Sequence, residues 1–244
     1  MHQRTVLITG GTRGIGRACA IALAATGHHL VLGYGRDDAS AAQVAEEIRG
    51  MGGQCRSVRA DLRTDDGIEH LFTEAIAFRG GIDAVVSNAG ATLHIGDLAS
   101  TPVAVIREVV DLNLTSAILV ARRAAQVLPA GGVLVTLSSG AATTGSPGEY
   151  VHYAAAKAGV DALTKGLAVE LAPQGVRVVG VAPGTIDTDV HADAGDPGRP
   201  ARVAARHPMG RVGTPEEVAA VVAFALSDAA SYVSGTTLRV AGGV

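Results

Sequence analysis

At 244 residues the chain suits a single α/β domain with a large core. Tryptophan is absent and aromatics make up 3%, so Val, Leu, Ile and Ala must fill that core. A net charge of −3 with no basic block argues against nucleic acid or an acidic membrane surface as partner.

In chain order, Val6-Leu7-Ile8 is a short apolar run suited to a strand buried on both faces. It begins so early that no room is left for a signal peptide. A glycine-rich turn follows, and then Ile15, Ala18, Cys19, Ala22 and Leu23 recur at helical spacing, with Gly27 as a C-terminal cap. Leu30-Val31-Leu32 is a second strand. A helix through Val44 and Ile48 ends near residues 50–53. Residues 55–60 alternate polar and apolar as a third strand leading to Asp61-Leu62, and Ile68, Leu71, Phe72, Ala75 and Ile76 mark the next helix. The fourth strand spans 82–86. Thr101-Pro102 reads as N-cap and first position of a helix running to Leu128, with an irregularity near Asn113. Residues 133–137 form the fifth strand, an alanine-rich helix carries Tyr153 and Lys157, and 176–181 form the sixth strand. Residues 185–213 break the rhythm with many Gly and Pro and read as a functional loop. Thr214 to Glu217 is a capping box with Pro215 in the first turn, opening a helix through Val218, Val221, Val222, Ala225 and Leu226; a last strand covers 236–240.

Strands alternating with helices specify one domain, 1–244, built on a doubly wound parallel sheet with helices on both faces. Ligands then bind at the carboxyl ends of the strands. Two cysteines make no disulfide framework, and both read as small buried hydrophobes. No apolar run of about eighteen residues exists, so no membrane span and a cytoplasmic location are expected.

The chemistry gathers in a few places. Tyr153 and Lys157 are four apart, hence on one helix face. A phenol titrates near ~10, and a neighbouring ammonium favours its phenolate, so Lys157 is expected to tune Tyr153 as a general acid/base. Gly10, Gly14 and Gly16 let the backbone turn tightly before a helix whose N-terminus faces a pyrophosphate. Asn113 is a polar residue among Val109, Val110, Leu112 and Leu114, and a buried amide needs partners. The scattered histidines form no metal-binding pair, and no Gly-x-Ser-x-Gly elbow is present, so neither a metal site nor a serine hydrolase is expected.

Taken together, Thr9 to Gly16, Ser87-Asn88-Ala89-Gly90, Asn113, Ser139, Tyr153-x-x-x-Lys157 and Pro183-Gly184 resemble the classical short-chain dehydrogenase/reductase family, over nearly the whole chain. Ser139 lies fourteen before Tyr153, where thirteen is commonest in the family. An insertion in the 146–149 loop accounts for this, with Ser138 as the alternative. The resemblance implies a Rossmann-type fold and hydride transfer between a nicotinamide cofactor and the carbonyl or alcohol group of a small molecule. Ser139 and Tyr153 would hold the reacting oxygen, Lys157 the nicotinamide ribose, and Asn113 a proton-relaying water. Thr12, Arg13 and Ile15 would flank the diphosphate with the glycines. Asp61 and Leu62 would meet the adenine, and Asn88, Ala89 and Gly90 the ribose. Pro183, Gly184, Ile186 and Thr188 would meet the carboxamide and diphosphate.

Tyr34 stands where an NAD-binding member carries its acidic residue, followed by Gly35 and Arg36. With Arg13, Arg36 would clasp a 2′-phosphate, so NADP(H) is preferred and NAD(H) possible, unless Asp37 or Asp38 serves the ribose instead. The flavour is a ketoreductase similar to 3-oxoacyl-carrier-protein reductases and glucose dehydrogenases. A sugar or alcohol dehydrogenase and a non-catalytic NADP-binding regulator remain alternatives. An extended-family epimerase fits poorly with the short chain after the sixth strand. Leu93, His94, Glu149, Tyr150 and residues 191–209 would surround the substrate. The family also implies a homotetramer, with the last strand and Gly242-Gly243 at one interface.

Overall fold

In the computed structural model, which describes residues 3–244, the apolar runs pair as seven strands of one sheet. These are β1 (Thr5–Thr9), β2 (His29–Tyr34), β3 (Gln54–Arg59), β4 (Ala84–Ser87), β5 (Val133–Leu137), β6 (Arg177–Pro183) and β7 (Thr237–Val240). Every neighbouring pair is parallel, in the order β3-β2-β1-β4-β5-β6-β7. Parallel strands need crossovers, and the helices between them supply these.

The two faces follow from period-two alternation. Val6, Ile8, Leu30, Leu32, Val133 and Val135 point to one side. There they pack on α1 (Gly14–Ala25), α2 (Asp38–Gly50) and α10 (Pro215–Leu226). Leu7, Val31, Leu134 and Val178 point to the other side, against α3 (Asp65–Arg79), α5 (Ser116–Val127) and α7 (Val151–Leu171). The strand order reverses between β1 and β4, so the turns after β1, β4, β5 and β6 open on one crevice.

Several expectations shift in detail. Pro102 is the N-cap and α4 covers Val103–Val110; Thr101 donates its hydroxyl to Asp97 O instead of capping. The irregularity near Asn113 is a π-helical turn, Asp111–Thr115, joining α4 to α5. Residues 185–213 are not a bare loop. They carry α8 (Val190–Asp193) and α9 (Arg199–Ala204), and Ile186 bridges to Gly213. The Thr214–Glu217 capping box forms as expected. Cys19 is buried, but Cys55 is only half-buried because β3 is an edge strand with one open face. Among the described residues no helix is long and apolar enough to cross a membrane.

Candidate active site

The chain leaves β1 and turns through Gly10 (φ 63°) and Gly14 (φ 49°), backbone values that favour glycine. At Gly16 the need is steric: an added Cβ would lie 2.0 Å from Gly10 O. Asn88 braces this turn from β4. Its Nδ2 donates to Thr9 O (2.9 Å) and Gly10 O (3.1 Å), while Thr9 Oγ1 accepts from the N–H groups of Asn88 (2.9 Å) and Ala89 (3.0 Å). Thr12 is buried beneath the turn and Ile15 is half-buried. Arg13 is the N-cap of α1 and makes no side-chain capping bond, and the first turn holds no acidic residue. The N–H groups at this helix start are therefore left for an anion. From β6, Gly184 and Ile186 lead to Thr188, whose Cγ2 lies 3.4 Å from a Cβ built on Gly14.

At the other end of the crevice the polar groups are more engaged than expected. Asp37 caps α2, accepting from Ser40 N (2.9 Å) and Ser40 Oγ (2.6 Å). Asp38 accepts from Tyr34 OH at 2.9 Å and pairs with Arg59. Arg59 also donates to Gly35 O. Both aspartates thus already have partners, while Arg36 lies exposed beside them. Arg13 pairs with Asp193 at 3.6 Å. Asp61 is gripped by Arg63, Nε to Oδ1 at 2.9 Å and Nη2 to Oδ2 at 2.7 Å. This fork is the main reason its carboxyl is held down to about 2. Its oxygens are thus already hydrogen-bonded where an adenine amino group was expected, and Leu62 is buried next to it.

At the crevice centre, α7 brings Tyr153 and Lys157 to one face, with Lys157 Nζ 5.7 Å from the Tyr153 ring centroid. Nζ donates to Leu137 O at 2.8 Å. Burial lowers the ammonium from 10.5 to about 8. Tyr153 does not show the expected lowering by Lys157. Burial dominates and pushes the phenol up to about 12, with the Ser139 hydroxyl and, more weakly, Arg199 opposing it. The physical reason is that Lys157 bonds to a strand-end carbonyl over the ring face, and its own charge is destabilised there.

Ser138 is buried and donates to Lys157 O at 3.2 Å, a structural tie. Ser139 is more open and accepts from Ala141 N at 3.2 Å. Between the short α6 (Ala141–Thr144) and α7, Gly145, Ser146 and Gly148 all take positive φ, in the turn expected to absorb the extra residue. Asn113 is buried in the π-helical turn; Nδ2 donates to Ala91 O (2.7 Å) and Val109 O (2.9 Å), while Oδ1 has no protein partner. A Cβ on Gly90 would lie 2.5 Å from that Oδ1 and 3.3 Å from Lys157 Nζ, so both atoms converge on Gly90.

Two side chains are buried here in a way the sequence reading did not foresee. Arg199, on α9, is buried; Nη2 donates to Glu149 Oε2 (2.7 Å) and Tyr150 OH (2.6 Å). Its Nη1 reaches Thr185 Oγ1 at 3.3 Å. Tyr150 in turn meets Tyr153 edge-on, ring centroids 5.4 Å apart. His152 is buried with neither ring nitrogen partnered, its basicity lowered by burial and by His94. No local signal in a Gly/Pro-rich stretch marks Arg199 as buried; only the fold brings it to Tyr150.

A family model described as enoyl-(acyl carrier protein) reductase matches residues 10–244. The uncharacterized oxidoreductase YgfF of Escherichia coli is 40% identical over 97% of this chain and 98% of its own length. This chain belongs to the short-chain dehydrogenase/reductase family. The 3beta-hydroxysteroid dehydrogenase 1 of Eggerthella lenta is 38% identical, covering 100% of this chain and 94% of that protein. A short-chain dehydrogenase from Burkholderia cenocepacia J2315, solved in complex with NADP, superposes with a TM-score of 0.92 at 31% identity, over 99% of this chain and 97% of that one. As a short-chain dehydrogenase/reductase, the protein is an oxidoreductase that passes hydride between a nicotinamide cofactor and an alcohol or carbonyl group.

Proposed function

We propose that this short-chain dehydrogenase/reductase works as an NADP(H)-preferring ketoreductase with Tyr153 as its proton donor. The observation that carries the reading is the convergence of Tyr153 and Lys157 on one face of α7, with Ser139 beside the phenol and the unpartnered Asn113 Oδ1 beside the ammonium. The phenol is protonated at neutral pH, the state a donor requires. Ser139 and Tyr153 hydrogen-bond the substrate oxygen, and Tyr153 gives up its proton there. Lys157 and Asn113 Oδ1 supply a donor and an acceptor on the far side of Tyr153, from which the proton can be restored.

The residues fit a dinucleotide. The uncapped start of α1 suits a diphosphate, the bare Gly10–Gly16 turn admits close approach, and Lys157 faces the same crevice. When bound, the nicotinamide supplies the hydride. The 2′-phosphate preference is supported by Arg36, exposed beside Tyr34, and by the partners already held by Asp37 and Asp38. Arg13 would have to leave Asp193 to join Arg36. Assembly as a homotetramer is supported by exposed apolar residues on the outer helices, Val103, Ile118 and Val169. A cytoplasmic site of action accords with the absence of a membrane-length helix among the described residues.

The test is NADPH oxidation across ketones, aldehydes and sugars, repeated with Tyr153→Phe. General acid help is typically worth about 10²–10⁴-fold, so the variant should lose turnover in that range while cofactor affinity holds. A tenth of the wild-type kcat remaining would remove Tyr153 from the role. No turnover of any compound by the wild type would favour a cofactor-binding regulator.

A further inference from the structure

Lys157 is buried, and a buried ammonium keeps its proton best where an anion offsets the loss of water. Its Nζ donates to Leu137 O at 2.8 Å and lies 5.7 Å from the Tyr153 ring centroid. Neither neighbour is an anion at neutral pH. The anion comes from the same helix. Asp161 follows Lys157 by four residues within α7, a spacing that stacks two side chains on one face with Cβ atoms about 5–6 Å apart. Helical side chains lean toward the N-terminus, so Asp161 reaches back over the turn that carries Lys157. Its negative charge opposes the effect of burial on the ammonium. Asp161 is also held in place. Its Oδ1 accepts from Thr237 Oγ1 of β7 at 2.9 Å. Thr237 stands opposite Gly180 in the β6–β7 register, and a Cβ on Gly180 would lie 2.5 Å from that hydroxyl. The bare position in β6 thus makes room for an edge-strand hydroxyl to reach α7.

We propose that Asp161, pinned by Thr237 beside the bare Gly180, is a positioning residue whose charge keeps the Lys157 ammonium ionised in the crevice. The inference rests on the proposed role of Lys157 as a cationic donor. A carboxylate near an amine favours its charged form. Facing Lys157 are Tyr153 and Asp161 from α7, with the uncharged Leu137 O from β5 and Asn113 Oδ1 from the π-helical turn. The ionised groups on the other elements packed against α7 are engaged elsewhere or exposed. Glu108 pairs with Arg63, Arg123 with Glu69, and Arg177 donates to Ala225 O and Ser227 O. Asp111 accepts from Thr115 Oγ1, and Arg107 and Arg122 are exposed. Lys165, one turn beyond Asp161, is exposed as well.

Lys157 and Lys165 are the two lysines of the chain, so isotope-labelled lysine gives two ε-carbon NMR signals, with Lys165 as the reference. The titration of Lys157 is followed in the cofactor-free protein for wild type, Asp161→Asn, Asp161→Glu and Thr237→Val, beside kcat/KM against pH. Asn keeps the shape of Asp and can still accept from Thr237, so the charge alone is lost. The Lys157 midpoint should then fall by about half a pH unit or more, and the alkaline limb of kcat/KM should fall with it. Asp161→Glu should stay nearer wild type. Thr237→Val should move the midpoint a smaller distance in the same direction as Asp161→Asn. A Lys157 midpoint that does not move in Asp161→Asn overturns the inference, since a merely structural Asp161 would change activity without moving it. Should Asp161→Asn not fold, Thr237→Val decides, and an unmoved midpoint there is the overturning result. A midpoint that falls while the activity limb stays leaves Asp161 as the charge partner and removes Lys157 from turnover, so the two readings fail separately.

Discussion

Replacing Lys157 by Met should remove turnover and yet make the protein more stable at neutral pH. The drop of its ammonium from 10.5 to about 8 is caused mainly by burial. At about 1.4 kcal/mol per pH unit, the buried charge costs about 3 kcal/mol of folding stability when it is protonated. Methionine fills similar space without that cost, but leaves Leu137 O without its 2.8 Å donor, a loss of about 1–3 kcal/mol. The net gain at pH 7 is about 0–2 kcal/mol. The sign then fixes the pH course. The folded-state value lies below the unfolded one, so between pH 8 and 10.5 the unfolded chain binds the proton and the folded chain does not. Wild-type stability therefore rises through that window relative to Lys157→Met, whose advantage shrinks and then reverses. Urea unfolding of both proteins at pH 7, 8.5 and 10 measures the difference, and other titrating groups cancel in it. A variant less stable than wild type at pH 7, or a difference that stays flat to pH 10, would show that burial does not penalise this ammonium.

Two further outcomes concern the crevice. Arg36→Ala should weaken NADPH use by about ten- to 150-fold in kcat/KM, the range of one charge-assisted hydrogen bond, and leave NADH use nearly untouched; paired cofactor kinetics check this, and equal use of both cofactors by the wild type would contradict it. Ser139→Ala should lower kcat, whereas Ser138→Ala, which removes only the tie to Lys157 O, should chiefly lower the unfolding temperature.

Much of the fold was legible because burial on two faces leaves plain marks. The run Val133–Leu137 is apolar but for Thr136, and its strand has those bounds in the structure. Asn113 was legible for the opposite reason: one amide in an apolar helix needs a cause, and the cause is a turn that widens to seat it. What stayed hidden depends on distance in space. Arg63 is exposed, yet it holds Asp61 and Glu108 together, a contact that no local pattern marks. Lys157 lies one helical turn from Tyr153, but its bond to Leu137 O comes from β5, and spacing alone says nothing of the burial that dominates the phenol. Arg199 sits in a stretch without periodicity, so nothing local announced its burial.

The bracing of the glycine-rich turn by Asn88 and Thr9 has a consequence for association. Ordering a residue costs about 1–2 kcal/mol of conformational entropy. Four hydrogen bonds from β1 and β4 fix the start of this turn as the sheet forms, so that cost belongs to folding. An incoming diphosphate then meets a surface already in shape, and its affinity is not reduced by a fraction of molecules with the turn disordered. Loosening the brace, as Thr9→Val would, transfers the ordering cost to the encounter itself. Affinity would then fall through a slower approach while the bound state looks unchanged.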